Sequence, residues 1–186
     1  FEDNFEIYMY IPVDAHTNKL IDYVTECSGN GYYQFNKPSD YKDFMKRMKS
    51  LPQITNEIIQ KMKNGIKHNV TLYEKIVDDM IEQIQMILKT KSYYQKKVSY
   101  RKEWDQCVKT YLVASLEKFL SFLLNEYYPH CSQTWGLQSY KGGKQYYRRV
   151  LQYDICKSCE PTMIHKFGIK EVKKLLNRQK NLSIKK

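Results

Sequence analysis

The side chains able to do chemistry are few and scattered along this chain. The closest reactive pair is Cys156-Lys157-Ser158-Cys159, a spacing that serves a zinc site, a redox couple or a structural bridge. A zinc site needs further ligands, and neither a second CxxC nor a histidine pair lies nearby. A redox CxxC needs a strand-to-helix setting, which the flanking sequence lacks, so the spacing favours a structural bridge. His130 beside Cys131 has the residue types of a thiol–imidazole dyad, but chain neighbours rarely aim at one another and no third, orienting group is evident. The histidines are His16, His68, His130 and His165, and none has a histidine four residues away. Two imidazoles at that spacing, with a glutamate between them, are what a helix uses to hold a hydrolytic zinc and activate its water. No catalytic set, metal-ligand set or cofactor motif emerges, and the expectation is a protein that is not an enzyme.

Other residues suggest a compartment. With Cys27, Cys107 and Cys131, the CxxC pair brings the count to five cysteines. In a secreted chain an odd count means two bridges and one thiol, free or paired between chains, with the connectivity open. The alternative is a cytosolic protein with five reduced thiols. Asn69-Val70-Thr71 and Asn181-Leu182-Ser183 are N-glycosylation sequons. The chain begins at Phe1 rather than Met, as a processed chain would. Together these favour an extracellular, disulfide-bonded glycoprotein.

The elements that must position these residues read as helices. At 186 residues, 42% hydrophobic and 27% charged, the chain is long and apolar enough for one domain with a core. No apolar run reaches the roughly 18 residues of a membrane span. Residues 1–38 read as extended or irregular, with alternation at Phe5, Ile7, Met9 and Ile11 before Pro12. From Ser39, a candidate N-cap, Tyr41, Phe44, Met45, Met48 and Leu51 share one helical face until Pro52. Ile54, Ile58, Ile59 and Met62 predict a second short helix closed at Asn64-Gly65. Thr71 and Glu74 have capping-box spacing ahead of Ile76, Val77, Met80, Ile81, Ile84 and Leu88. A polar stretch over 89–102 reads as a linker, followed by a long helix from about Trp104 to Tyr127 that Pro129 ends. Helices over 146–153, from Pro161 to Phe167-Gly168, and from Ile169 to about Gln179 complete an all-α, irregular multi-helix domain over 39–180, with a basic tail at 181–186.

The order of these motifs resembles one known family. Asp40-Tyr41, Leu51-Pro52-Gln53-Ile54 and Met62-Lys63-Asn64-Gly65-Ile66 form the first block of the resemblance. Tyr128-Pro129, Gly136-Leu137, Gly142-Gly143, Tyr146-Tyr147 and the run from Met163 to Val172 form the second. The family is domain of unknown function 885, whose members look like helical zinc metallopeptidases, and the resemblance covers roughly residues 35–180. It implies an HExxH helix C-terminal to the matched segment, and no HExxH occurs in this chain. It also implies that His165 sits in a turn before a helix, with a structural role rather than a ligand's. The CxxC loop stands where family members often carry threonines.

Seventeen tyrosines, several in adjacent pairs, read mainly as packing residues with their hydroxyls reaching the surface. Tyr146, Tyr147 and Trp135 are the candidates for a contact surface. A net charge of +11 would attract polyanions, but Lys and Arg run along the whole chain, densest over Lys166–Lys186, and no nucleic-acid-binding motif is present. A helical domain lacking the family's remaining half would leave apolar faces to be covered, so a homo-oligomer or another protein partner is expected. The leading expectation is a secreted, non-catalytic member of a metallopeptidase-like family, acting in binding, structure or signalling. The alternatives are the N-terminal fragment of a zinc metallopeptidase whose metal site lies on another segment, and a basic polyanion binder.

Overall fold

Helices account for the regular structure, as the periodicity predicts, in a computed structural model that describes residues 9–155 and 160–183. The described residues form no β-strand; an isolated bridge joins Tyr73 and Ser132. The described residues divide into two compact units, one within 9–134 and one within 135–183.

The first unit begins with a helix in the stretch expected to be irregular. Helix α1, Lys19–Cys27, is started by Asn18, whose side-chain oxygen accepts from the Leu20 amide. Leu20, Val24 and Cys27 point from it into the core. Helix α2, Pro38–Met48, places Pro38 in the first turn, where a missing N–H costs nothing. Its cap is not Ser39: the Asp40 carboxylate reaches back to accept from the amides of Asn36 and Lys37, each at 3.0 Å. Helix α3, Leu51–Lys67, also absorbs its proline in the first turn, and it runs through Asn64-Gly65 instead of stopping there. Gly65 is needed for close approach. A Cβ at that position would run into the Val70 carbonyl and lie 3.1 Å from the Tyr10 carbonyl oxygen.

Helix α4, Glu74–Thr90, buries Val77, Met80, Ile81, Ile84 and Ile87 and ends at Lys91 in the left-handed region. The expected capping box does not form. Thr71 donates instead to the His130 carbonyl at 2.8 Å, and the buried Leu72 amide donates to the Tyr127 hydroxyl at 2.8 Å. Glu74 accepts from the Tyr128 hydroxyl at 3.0 Å. Tertiary partners thus satisfy the amides and side chains that a local cap would have used.

The 89–102 stretch is tied down by Arg101, which donates to the Gln95 and Lys96 carbonyls at 2.7 and 2.6 Å. From Arg101 the chain stays helical to His130. Helix α5, Arg101–Cys107, passes through a π-helical turn, Val108–Val113, into α6, Ala114–Phe122, then a second π-turn, Leu123–Tyr127, and a short 3₁₀ turn, Tyr128–His130. Trp104, almost fully buried, meets Phe35, Tyr41 and Phe44 at centroid distances of 5.6, 5.5 and 5.8 Å. This aromatic group closes the core around Leu112, Leu116, Phe119 and Leu123.

The second unit is built differently. Helix α7, Gly143–Asp154, follows Gly142 at φ +79°, and Gly143 packs so closely against the Leu137 carbonyl that no side chain would fit. Helix α8, Pro161–Ser183, is one unbroken element; Gly168 does not divide it. The chain enters α8 at Glu160, whose carbonyl accepts from Met163 and Ile164 and whose carboxylate pairs with Arg148 of α7 at 3.1 Å. Within the described part of this unit only Gly143 is buried. The hydrophobic core belongs to the first unit.

Candidate functional site

The three described cysteines are separate thiols, so they do not form the expected bridges; Cys156 and Cys159 lie outside the described residues. Cys27 packs in the core with its Sγ 3.7 Å from the Met48 sulfur, and burial, reinforced by Glu26, pushes its thiol up. Burial also raises Cys107, against a smaller opposing effect of Lys49. Cys131 is pushed up to about 12 by burial and then by the charges of Glu74 and Asp78. All three are therefore held as neutral thiols at physiological pH, the unreactive form. Cys131 faces the Tyr127 carbonyl at 3.7 Å, and its neighbour His130 is exposed.

Among the described residues no three His, Cys, Asp or Glu side chains gather in a group that could hold a metal ion. His68 has its Nδ1 2.8 Å from the Asn64 carbonyl and its ring beside Tyr10. His165 is not at a helix junction: with α8 continuous, it is an exposed residue of that helix. The acidic pair Glu74 and Asp78 holds the Tyr128 hydroxyl, raising its pKa to about 12. A cavity of about 350 Å³ opens between the 91–95 segment and the first π-turn, walled by Tyr93, Tyr94, Trp104 and Val108. Its carboxylate, Asp105, is engaged by Arg101 at 3.2 Å.

The sequons differ in setting. Asn69 is exposed at φ 56°, whereas Val70 and Thr71 of the same sequon are buried, with the Thr71 hydroxyl bonded to His130. Asn181 is exposed near the end of α8.

The residues named as a contact surface all fall in the second unit: Trp135 is 75% exposed, Tyr147 is exposed and Tyr146 is half-buried. They have company. Of the sixteen exposed large apolar side chains among the described residues, ten lie between Trp135 and Leu176. On α8, Ile164, Ile169, Val172, Leu175 and Leu176 fall within an arc of roughly 140° at 100° per residue. Ile169, Val172, Leu175 and Leu176 are 44, 56, 59 and 50% exposed. Lys166, Lys170, Lys173, Lys174, Arg178 and Lys180 all fall on the opposite arc, together with Met163 and Phe167.

The charge follows the same boundary. Residues 135–186 carry thirteen Lys and Arg against three Asp and Glu, a net of +10, whereas residues 1–134 carry eighteen against seventeen. The even spread of basic residues along the chain conceals this, because acidic residues balance them only as far as residue 134. The basic surplus is a property of the stretch 135–186 of the sequence. Sequence reasoning missed it, although a running net charge would have exposed it.

An all-α architecture with this motif order defines a class before it defines an activity. Comparison with known families matches residues 25–185 to the one described as a bacterial protein of unknown function, DUF885, and the chain belongs to that family. No curated protein and no solved structure matches it.

Proposed function

We propose that this chain is a non-catalytic binding member of its family, and that residues 135–183 dock onto a negatively charged surface that also offers apolar cover. One coincidence carries the reading: the stretch 135–186 contains ten exposed large apolar side chains among its described residues and ten of the eleven net positive charges of the sequence. Covering an exposed aliphatic side chain contributes roughly 1.5–3 kcal/mol, so a face such as that of α8 gains considerably when it meets a partner. A partner of opposite charge is favoured over self-association, since two copies would bring like charges together. The neutral thiols of Cys27, Cys107 and Cys131 support the non-catalytic part of the proposal. An extracellular location belongs to the same proposal and draws support from the exposure of Asn69 and Asn181; loss of mass on enzymatic deglycosylation tests it.

The docking test uses an apolar anion, anilinonaphthalene sulfonate. Saturable binding that weakens strongly in Val172→Asp/Leu176→Asp, with unchanged far-UV circular dichroism, is expected. Failure of the wild-type chain to bind the dye would refute docking, and zinc-dependent peptide turnover by the purified chain would refute the non-catalytic assignment.

A further inference from the structure

We propose that the surface met by the C-terminal unit is an anionic lipid bilayer, with α8 lying in the headgroup plane; the inference rests on the docking function above and names its partner. No described helix is long and apolar enough to cross a membrane, so the mode in question is lying on the surface. The signature of such a helix is a Lys/Arg-rich polar face opposite an apolar one, at low net hydrophobicity. Helix α8 carries its aliphatic arc over 164–176, exposed at Ile169, Val172, Leu175 and Leu176, with its cations on the opposite arc beside Met163 and Phe167. At 1.5 Å per residue the aliphatic positions 164–176 offer an in-plane contact roughly 18 Å long.

Three observations favour a bilayer over other anionic partners. A nucleic-acid backbone would satisfy the lysines but give Ile169, Val172, Leu175 and Leu176 nothing apolar to meet. An acidic protein groove is disfavoured by the kind of cation: ten of the thirteen basic residues in 135–186 are lysines, and protein interfaces are depleted in lysine and enriched in arginine. A charged bilayer needs no directional fork and accepts lysine as a point charge. Exposed aromatic residues also sit in the same unit, Trp135 at 75% and Tyr153 at 92%, and amphipathic rings settle at headgroup depth. Lys174 is 3.4 Å from Glu171, and the other five cations of α8 are not balanced by any further acidic residue on that helix.

The experiment is co-sedimentation of the full chain with phosphatidylcholine vesicles, with and without roughly a third phosphatidylserine. Partitioning onto the anionic vesicles is expected to be at least about tenfold stronger than onto neutral ones, and to weaken with salt. Lys170→Glu/Lys173→Glu should weaken it by about tenfold or more, and Val172→Asp/Leu176→Asp should do likewise. All four positions are exposed, so the variants should keep the wild-type circular dichroism; Met86→Asp, on the exposed face of α4, should bind as the wild type does. Equal partitioning onto both vesicle types, or undiminished binding by either α8 variant, would overturn the proposal. Dye binding without vesicle binding refutes the lipid partner and leaves docking standing, whereas loss of both refutes docking itself. Binding to heparin that is indifferent to Val172→Asp/Leu176→Asp, with no vesicle binding, would assign the surface to a polyanion instead.

Discussion

Replacing Tyr127 with phenylalanine removes one oxygen atom from the interior of the first unit and probes how α4 is started. The side chain is fully buried, and its hydroxyl accepts from the Leu72 amide at 2.8 Å. Leu72 is itself buried, so water cannot readily replace the lost acceptor. A buried donor left without a partner costs about 1–3 kcal/mol. For a chain of this size about 2–4 °C of melting temperature accompanies each kcal/mol, so Tyr127→Phe should melt roughly 2–12 °C below the wild type. Thr71→Val removes the bond to the His130 carbonyl next door and should cost about 0.5–1.5 kcal/mol. Because the two bonds stitch the same pair of segments, the double variant should show a coupling of about 0.5 kcal/mol or more. Urea denaturation followed by far-UV circular dichroism gives all three values. A conventional capping box at Thr71 and Glu74 would make Thr71→Val costly and leave Tyr127→Phe close to neutral. A Tyr127→Phe stability within about 0.5 kcal/mol of wild type would refute the tertiary-cap reasoning.

Trp104→Ala should destabilise the protein by about 3–5 kcal/mol, since it empties the space between Phe35, Tyr41 and Phe44; calorimetry checks this. Gly65→Ala should cost about 1–3 kcal/mol by forcing the Val70 carbonyl away, and thermal melts read the loss directly. Cys131 rises from 9.0 to about 12 and Tyr128 from 10.0 to about 12. Both folded values lie above the unfolded ones, so this stabilisation is complete below pH 9 and lost as the pH climbs towards 12; Tyr128→Phe should flatten the upper part of that decline. Thiol titration with Ellman's reagent on the native chain at pH 8 should be slow at Cys27, Cys107 and Cys131 and become rapid in denaturant.

Much of the helical fold was legible because apolar spacing alone identifies a face. Tyr41, Phe44, Met45 and Met48 in α2, and Val77, Met80, Ile81 and Ile84 in α4, are buried as their periodicity requires. Boundaries were less legible, because partners distant in sequence decide them. Asp40 supplied the cap expected from Ser39, and Tyr127 and His130 supplied the acceptors expected within a local box. Helix α1 is hard to read from the sequence, because it is short, is started by Asn18 and buries only three side chains. Gly168 suggested a break in α8, but the helix runs on through it, since a single glycine costs only about 1 kcal/mol relative to alanine. The candidate surface was half legible. Trp135 and Tyr147 were picked by residue type, while the aliphatic arc of α8 became distinguishable from core only once those side chains were seen exposed. Cysteine spacing misled for Cys27, Cys107 and Cys131, because bridge formation depends on Cα separation and Cβ direction, which a count does not contain.

Hydrogen–deuterium exchange of the full chain, with and without anionic vesicles, tests the docking surface most directly. Added vesicles should slow exchange across 161–183 and leave the amides of the first unit, α3 and α4 included, unchanged. Protection confined to residues before 135, or no change anywhere while the chain sediments with the vesicles, would contradict the assignment of binding to the C-terminal unit.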